Sequence, residues 1–337
     1  MNVTIIIPTK NRTKFIKRQL QYYDRSKFTG FLFFGDASDD DVYEENVKLI
    51  DQFSNTLKIK HFHDKEKSSE QVTSDLVKLV TTKYMTLLPD DDLIITPAIE
   101  ECIEYLDKNN DYSAAHGKAY EMTINYGKAD AFGRLTGMTP YRMISTDENS
   151  AIDRIKTYFN YVTNINMAII RTEIAVDAYR ACNGLDYYFS SLLFGELTHG
   201  SFVLTKGKIK ELNCTYLVRQ VHNSQYFDTM NLVDWFSKPN WCESYSILKS
   251  VIFSNILDKG SDTYYADKKE MEQMLSLYMK NLFNASGKAN FLHKMKKNTI
   301  FNKVFRLYRH FKLHSQGKVK MNNIRNIDDY VYVIQHS

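Results

Sequence analysis

Val3-Thr4-Ile5-Ile6-Ile7 constrains the fold more than any other stretch of this chain. Five β-branched residues in a row, with no charged residue among them, describe a strand that is apolar on both faces. Such a strand is stable only inside a sheet covered on both sides, the situation of a parallel sheet. The neighbouring residues fit that demand. Pro8-Thr9 predicts a turn, Ile16, Leu20 and Tyr23 recur at helical spacing, and Phe31-Leu32-Phe33-Phe34 forms a second apolar run ending at Gly35-Asp36. Together they predict one βαβ unit.

The same alternation continues. Ser68 and Gln71 have the spacing of a capping box ahead of Val72, Leu76, Leu79 and Val80, which predicts a helix with one apolar face. A strand from Tyr84 to Leu88 is stopped by Pro89, and Thr96-Pro97 opens a further helix with Ile99, Ile103 and Leu106 facing inward. Residues 123–150 have weak periodicity and several glycines, and are expected to be a long irregular excursion. Ile152, Ile155 and Phe159 predict a helix, and Ile165 to Ile170 a strand. The sheet-bearing part is expected to end near 220–224, and the pattern beyond Asn231 is helical. The fold class expected is α/β: a Rossmann-type open, mostly parallel sheet with helices on both faces and a helical C-terminal region. The expected division is 1–225 and 226–337.

Composition excludes several alternatives. With 337 residues, 43% hydrophobic and 25% charged, the chain is neither disordered nor fibrous. No run of apolar residues is long enough to span a membrane. The first ten residues lack the basic start of a secretory signal, so a cytoplasmic location is expected. Cys102, Cys182, Cys214 and Cys242 are too scattered for a zinc ribbon or a redox pair. Glycine-rich phosphate loops, G-x-S-x-G and H-E-x-x-H are missing, which argues against dehydrogenase, P-loop, α/β-hydrolase and zincin chemistry. The net charge of +4 is unevenly spread: residues 268–325 hold 14 Lys and Arg against Glu270 and Glu272, which leaves the remainder acidic. A clustered acidic body suits metal or proton chemistry, and a basic end suits a phosphate-bearing surface.

In an open α/β sheet, ligands bind beyond the carboxyl ends of the strands. Two strand ends here are acidic: Gly35-Asp36-Ala37-Ser38-Asp39-Asp40 and Pro89-Asp90-Asp91-Asp92. The second reads either as a solvated turn with a helix cap or as a seat for a hard divalent cation. At these residues the chain resembles the inverting, family-2-like nucleotide-sugar glycosyltransferases of the GT-A fold, of the bacterial surface-polysaccharide type. Ile5-Ile6-Ile7-Pro8-Thr9-Lys10-Asn11-Arg12 is similar to that family's IIIPTYNR, and Gly35 to Asp40 resembles its DDGSTD. Pro89 to Asp92 resembles its D-x-D segment, Asn183-Gly184-Leu185-Asp186 its G-x-x-ED block, and Arg219-Gln220-Val221-His222 its R-x-x-H. The likeness spans residues 1–225. Two departures stand out: Gly35 replaces the first acid of the second block, and Leu185 stands where the family commonly has Glu.

The resemblance implies a nucleoside pocket bordered by Pro8, Thr9, Asn11 and Arg12, with Asp36 accepting from the base and Asp91 on the ribose or the metal. It implies Mn²⁺ or Mg²⁺ on Asp92, with Asp90 and His222 as further candidates, and Asp186 as the general base. Without the resemblance, Asp186 reads equally as a helix cap and His222 as a structural residue. The activity implied is metal-dependent transfer of a sugar, with inversion, from a nucleotide-sugar donor to a glycan or lipid-linked glycan acceptor, UDP-sugars being favoured. A sugar-phosphate nucleotidyltransferase would share the sheet and the metal, and a degenerate binding module would keep the fold without turnover. Residues 294–313 alternate aromatic and basic residues at helical spacing, which suits packing on the core or peripheral membrane contact; strand-spaced aromatics for nucleic acid are lacking. His61 and His63 share one strand face and are expected to meet solvent.

Overall fold

The structure, a computed structural model, describes residues 1–182, 195–222, 241–257, 259–296 and 326–336, the side chains of 69–70 and 282–296 excepted. In chain order the elements are β1 (Val3–Thr9), α1 (Thr13–Arg25), β2 (Phe31–Asp36), α2 (Asp40–Asp51), β3 (Lys58–His63), α3 (Ser69–Val77), β4 (Tyr84–Leu87), β5 (Leu93–Ile94) and α4 (Thr96–Lys108). Next come β6 (Tyr112–Ile124), β7 (Leu135–Tyr141), α5 (Ala151–Asn160), β8 (Ile169–Arg171), α6 (Thr172–Ala181), α7 (Glu196–Lys206) and β9 (Lys208–Gln220). The last are α8 (Trp241–Ile256), α9 (Tyr264–Lys296) and α10 (Asp328–His336).

The strands form one sheet in the order β3-β2-β1-β4-β8-β6-β9-β5, with β7 paired to β6. The strands β1, β2, β3, β4, β6 and β9 run one way, and β5, β7 and β8 run against them. The sheet is thus open and mostly parallel. The β-branched run does what its composition demands: Val3, Ile5 and Ile7 enter one hydrophobic cluster and Ile6 the opposite one, as Leu32 and Phe34 do against Phe33. Faces of α1, α2, α4 and α10 close the first cluster, and faces of α3, α5, α6, α7, α8 and α9 close the second.

The structure departs from several expectations. Pro8 does not end β1: the strand runs on to Thr9, with Pro8 opposite Gly35 and Thr9 opposite Asp36. The capping box at Ser68 and Gln71 forms, but α3 ends at Val77 and leaves Leu79 47% exposed. Residues 123–150 are irregular over 125–134 and most of 142–150, but not throughout. They hold the end of β6 and all of β7, joined through Asn125 and Tyr126 at positive φ and Gly127 at φ +88°. This hairpin hides from periodicity because β7 is only half covered and shows little alternation. The described helices beyond 226 pack on the same two clusters as the sheet. Leu248 and Ile252 of α8 and Met271 and Leu275 of α9 join the second cluster, and Tyr330 and Ile334 of α10 join the first. There the Tyr330 ring meets Tyr22 of α1 edge-on at 5.8 Å, and Gly133 N donates to Ile334 O at 2.9 Å.

Candidate active site

Parallel direction brings the C-terminal ends of β1, β2, β4 and β9 to one edge of the sheet. Thr9, Asp36, the Pro89–Asp92 turn and Gln220 lie there. The turn is held from beneath by α1, whose inward face carries two buried polar residues, Arg18 and Gln19. Arg18 Nη2 donates to Asp91 O at 2.7 Å, and Gln19 Nε2 to Asp90 O at 3.1 Å and to Asp92 O. Arg18 also reaches Ala131 O at 3.1 Å and the Gln220 side chain, so a fully buried cation ties α1, the turn, the β6–β7 connection and β9 together. In sequence Arg18 is one of several polar residues of α1, and only its burial among Phe15, Ile16, Leu20 and Tyr22 singles it out.

The three carboxylates of the turn point to three different partners. Asp90 accepts from Thr9 Oγ1 at 2.8 Å and Arg12 Nη1 at 2.6 Å. Asp92 accepts from Arg219 Nε at 3.1 Å and Gln220 N at 3.0 Å. The Asp91 Oδ2 atom is shared by Arg12 Nη2 at 3.1 Å and His222 Nε2 at 3.0 Å. Side-chain exposure separates them: 15% for Asp91 against 4% for Asp90 and 3% for Asp92. Burial pushes Asp90 and Asp92 up to about 7. Asp91 is also raised by burial, but hydrogen bonding to His222 and the Arg12 charge outweigh this and hold it below the ordinary carboxylate range.

These positions bear on cation binding. Sequence reasoning put the cation on Asp92, with Asp90 and His222; the structure brings Asp91, not Asp92, to His222, and commits Asp90 and Asp92 to protein donors. Among the described residues no three His, Cys, Asp or Glu side chains form a metal-ligand group. Asp91 and His222 are the two that converge. Two protein ligands suit Mg²⁺ or Mn²⁺ when substrate phosphates complete the shell, so the residues present fit such an ion only in company with a diphosphate.

The second acidic strand end is built differently. Asp36 is fully buried and accepts from Ser38 N at 2.9 Å, Asn46 Nδ2 at 2.8 Å and His61 Nε2 at 2.9 Å. Burial raises its carboxyl, but these bonds more than offset it and hold the group below the ordinary range. His61 and His63 do not simply face water: His63 Nε2 donates to Ser38 O at 2.8 Å, and its ring stacks on Tyr43 with centroids 3.9 Å apart. Asn11, at φ 55°, closes the loop by donating to Asp39 at 2.9 Å and accepting from Asp39 N at 3.0 Å. Gly35 has a packing cause, since a Cβ there would lie 2.9 Å from Val72 Cγ1 and 3.0 Å from Leu76 Cδ1. The acid of the family motif is thus displaced by α3.

Asp186 lies outside the described residues, as do 223–240 and most of the basic stretch 294–313. Sequence reasoning passed over Glu196, the first residue of α7. It is half-buried, accepts from Asn164 Nδ2 at 2.8 Å, and burial pushes its carboxyl up to about 7 against the pull of Arg219. Arg219 pairs with Asp92 and lies over the Tyr141 ring at 4.8 Å, and its charge is felt at Glu196. A lone acid opening a helix after Gly195 was the available signal.

No protein-family model matches the chain, and no curated protein matches it in sequence. Solved structures do. Residues 1–349 of S. aureus TarS in complex with UDP-GlcNAc align with 99% of this chain and 82% of theirs, at 15% identity and TM-score 0.55. The fold is GT-A-like. The same TarS fragment alone aligns at TM-score 0.51 and 14% identity over 99% of this chain and 81% of that one. A longer S. aureus TarS structure aligns at 0.52 and 16% over 88% of this chain, which spans only 46% of its length. With the GT-A-like fold, the Thr9, Asp36 and Asp91 positions fall on the sheet edge where ligands bind in open α/β sheets.

Proposed function

We propose that the protein transfers a sugar from a nucleotide-sugar donor, a UDP-sugar by preference, to a glycan or lipid-linked glycan acceptor with inversion. The observation that carries this reading is the Asp91 carboxylate, ionised and reachable between Arg12 and His222, on a fold similar to one solved with UDP-GlcNAc. Pro8, Thr9, Asn11 and Arg12 border the nucleoside site. Asp36 shapes it through Ser38, Asn46 and His61 instead of touching the base, because all of these donors already converge on its two oxygens.

Departure of the diphosphate builds negative charge on its oxygens. Arg12 and His222 stand beside Asp91 to receive that charge. Asp91 and His222 would hold a divalent cation, Mn²⁺ or Mg²⁺, which when bound supplies Lewis-acid stabilisation of the leaving group. Asp90 and Asp92, buried and bonded to the protein, fix the turn's shape. Deprotonation of the acceptor hydroxyl falls to Glu196, whose carboxyl near 7 is matched to general-base work at neutral pH. Asp186 is the alternative base. One displacement at the anomeric carbon, with the base on the face opposite the diphosphate, inverts the configuration.

The test is thermal unfolding with UDP, GDP, CMP and dTDP, with and without Mn²⁺, and then donor turnover. A ligand present at 100 times its Kd adds about 2.7 kcal/mol. Selective stabilisation by UDP, with slow UDP-sugar hydrolysis, supports the enzyme. Binding without turnover under every acceptor condition supports a binding module, and stabilisation by none of the four nucleotides removes the reading.

A further inference from the structure

We propose that Arg12 is a built-in counter-ion of the site: in the nucleotide-free protein its guanidinium occupies the place of a divalent cation, and a nucleoside diphosphate draws it off before metal can bind. This rests on the reading of the site given above and adds an order of events to it. The Arg12 side chain is 31% exposed, so Nη2 can turn from Asp91 toward a ligand while Nη1 stays on Asp90. Its Nη2 lies 3.1 Å from Asp91 Oδ2 and 3.3 Å from His222 Nε2, and those two atoms are 3.0 Å apart. The three atoms form a nearly equilateral triangle, and the guanidinium is its cationic corner.

Arg12 Nη2 donates to Asp91 Oδ2, the oxygen a metal would use. A dication reaching Asp91 and His222 therefore has to displace the guanidinium. Two cations crowded on one oxygen repel strongly in a partly desolvated site. The diphosphate removes this obstacle, because its oxygens accept bidentate donation from a guanidinium as a carboxylate does. Meanwhile Nη1 on Asp90 at 2.6 Å and the Phe15 ring under the guanidinium at 4.1 Å keep Arg12 close by.

The probes are Mn²⁺ alone, UDP alone and both together, with bound Mn²⁺ read by electron paramagnetic resonance and UDP by calorimetry. The expected result for Arg12→Gln is Mn²⁺ affinity without nucleotide at least tenfold above wild type, UDP affinity without metal at least tenfold below, and a correspondingly smaller gain of Mn²⁺ affinity on adding UDP. Arg12→Lys keeps a charge for the buried Asp90, but one ammonium cannot serve Asp90 and Asp91 together. It is expected to move Mn²⁺ affinity in the same direction by a smaller factor, and it decides the matter if the Gln variant fails to fold. Mn²⁺ affinity unchanged or weakened in the folded variants would make Arg12 a mere clamp and overturn the proposal. Failure of UDP to bind wild type under any condition would overturn the functional reading, while the Mn²⁺ comparison alone would still decide the role of Arg12.

Discussion

The two acidic strand ends of this molecule carry similar residues and are satisfied by opposite means. After β2, Asp36 is held by donors built into the fold: a backbone amide, the Asn46 amide and the His61 ring of the neighbouring strand. After β4, Asp90, Asp91 and Asp92 are held largely by side chains that are or can become cations: Arg12, His222 and Arg219. Donors fixed in a core have no other partner to go to, so they make architecture. Arginines on part-exposed side chains, as Arg12 and Arg219 are, can exchange a carboxylate for a phosphate, so they make a site. An acidic run in sequence does not distinguish these cases, and the identity of the donors does.

Substitutions can break or sharpen that contrast. The largest effect is expected at the exchangeable end. Asp91→Asn should abolish Mn²⁺-dependent UDP binding and lower turnover by on the order of 10³-fold, while the unfolding midpoint stays near wild type, as calorimetry and scanning fluorimetry would show. A large loss of Tm there would place Asp91 with the architectural carboxylates. Next, Glu196→Gln should lower kcat by roughly 10²- to 10⁴-fold with UDP binding intact. Because burial raises Glu196 from 4.5 to about 7, its reactive anion forms only as pH rises through that value. Wild-type kcat/KM should therefore climb to a plateau above about pH 7, and the folded state should lose stability between pH 4.5 and 7 as the proton it favours is removed. Asp186→Asn with the larger loss of kcat would move the base assignment there.

At the architectural end the expectation reverses. Asp36→Ala strands three buried donors and should cost about 3 kcal/mol, lowering Tm by roughly 4 °C. Asp36 is held below its ordinary 3.8, so its contribution is complete above that pH and fades as the pH falls through the lower folded value; the gap between variant and wild type should close in acid. The smallest effect is expected from Ser68→Ala, which removes the cap of α3 from Gln71 N and should cost about 1 kcal/mol with donor binding unchanged. Loss of UDP affinity in that variant would show that α3, packed on Gly35, takes part in the nucleoside pocket.

Much of the fold was legible because its signals are local. The apolar runs of β1 and β2, the box at Ser68 and the Pro97 helix start each depend on neighbours a few residues away. The β6–β7 hairpin was not, since a half-covered strand alternates weakly and its register depends on β6. In the site, the motif positions Thr9, Arg12, Asp91 and His222 lie at one sheet edge, linked through the Pro89–Asp92 turn. Arg18 and Gln19 escaped notice because polar residues on a helix face look like solvent contacts until something buries them. The pairing of His61 with Asp36 is likewise a property of strand register, residue 36 lying opposite residue 63 on the neighbouring strand.

What the amino-acid order determined unaided was which segments become strands and helices and which strand ends carry charge, because hydrophobic period and β-branching act within a few residues. How burial and partners separate the three adjacent aspartates, raising Asp90 and Asp92 and lowering Asp91, was decided only by tertiary structure. Arg12 and His222 are 210 positions apart along the chain, with the aspartate turn between them. It is their approach to Asp91, while Asp90 and Asp92 lose contact with water, that separates the three carboxyls.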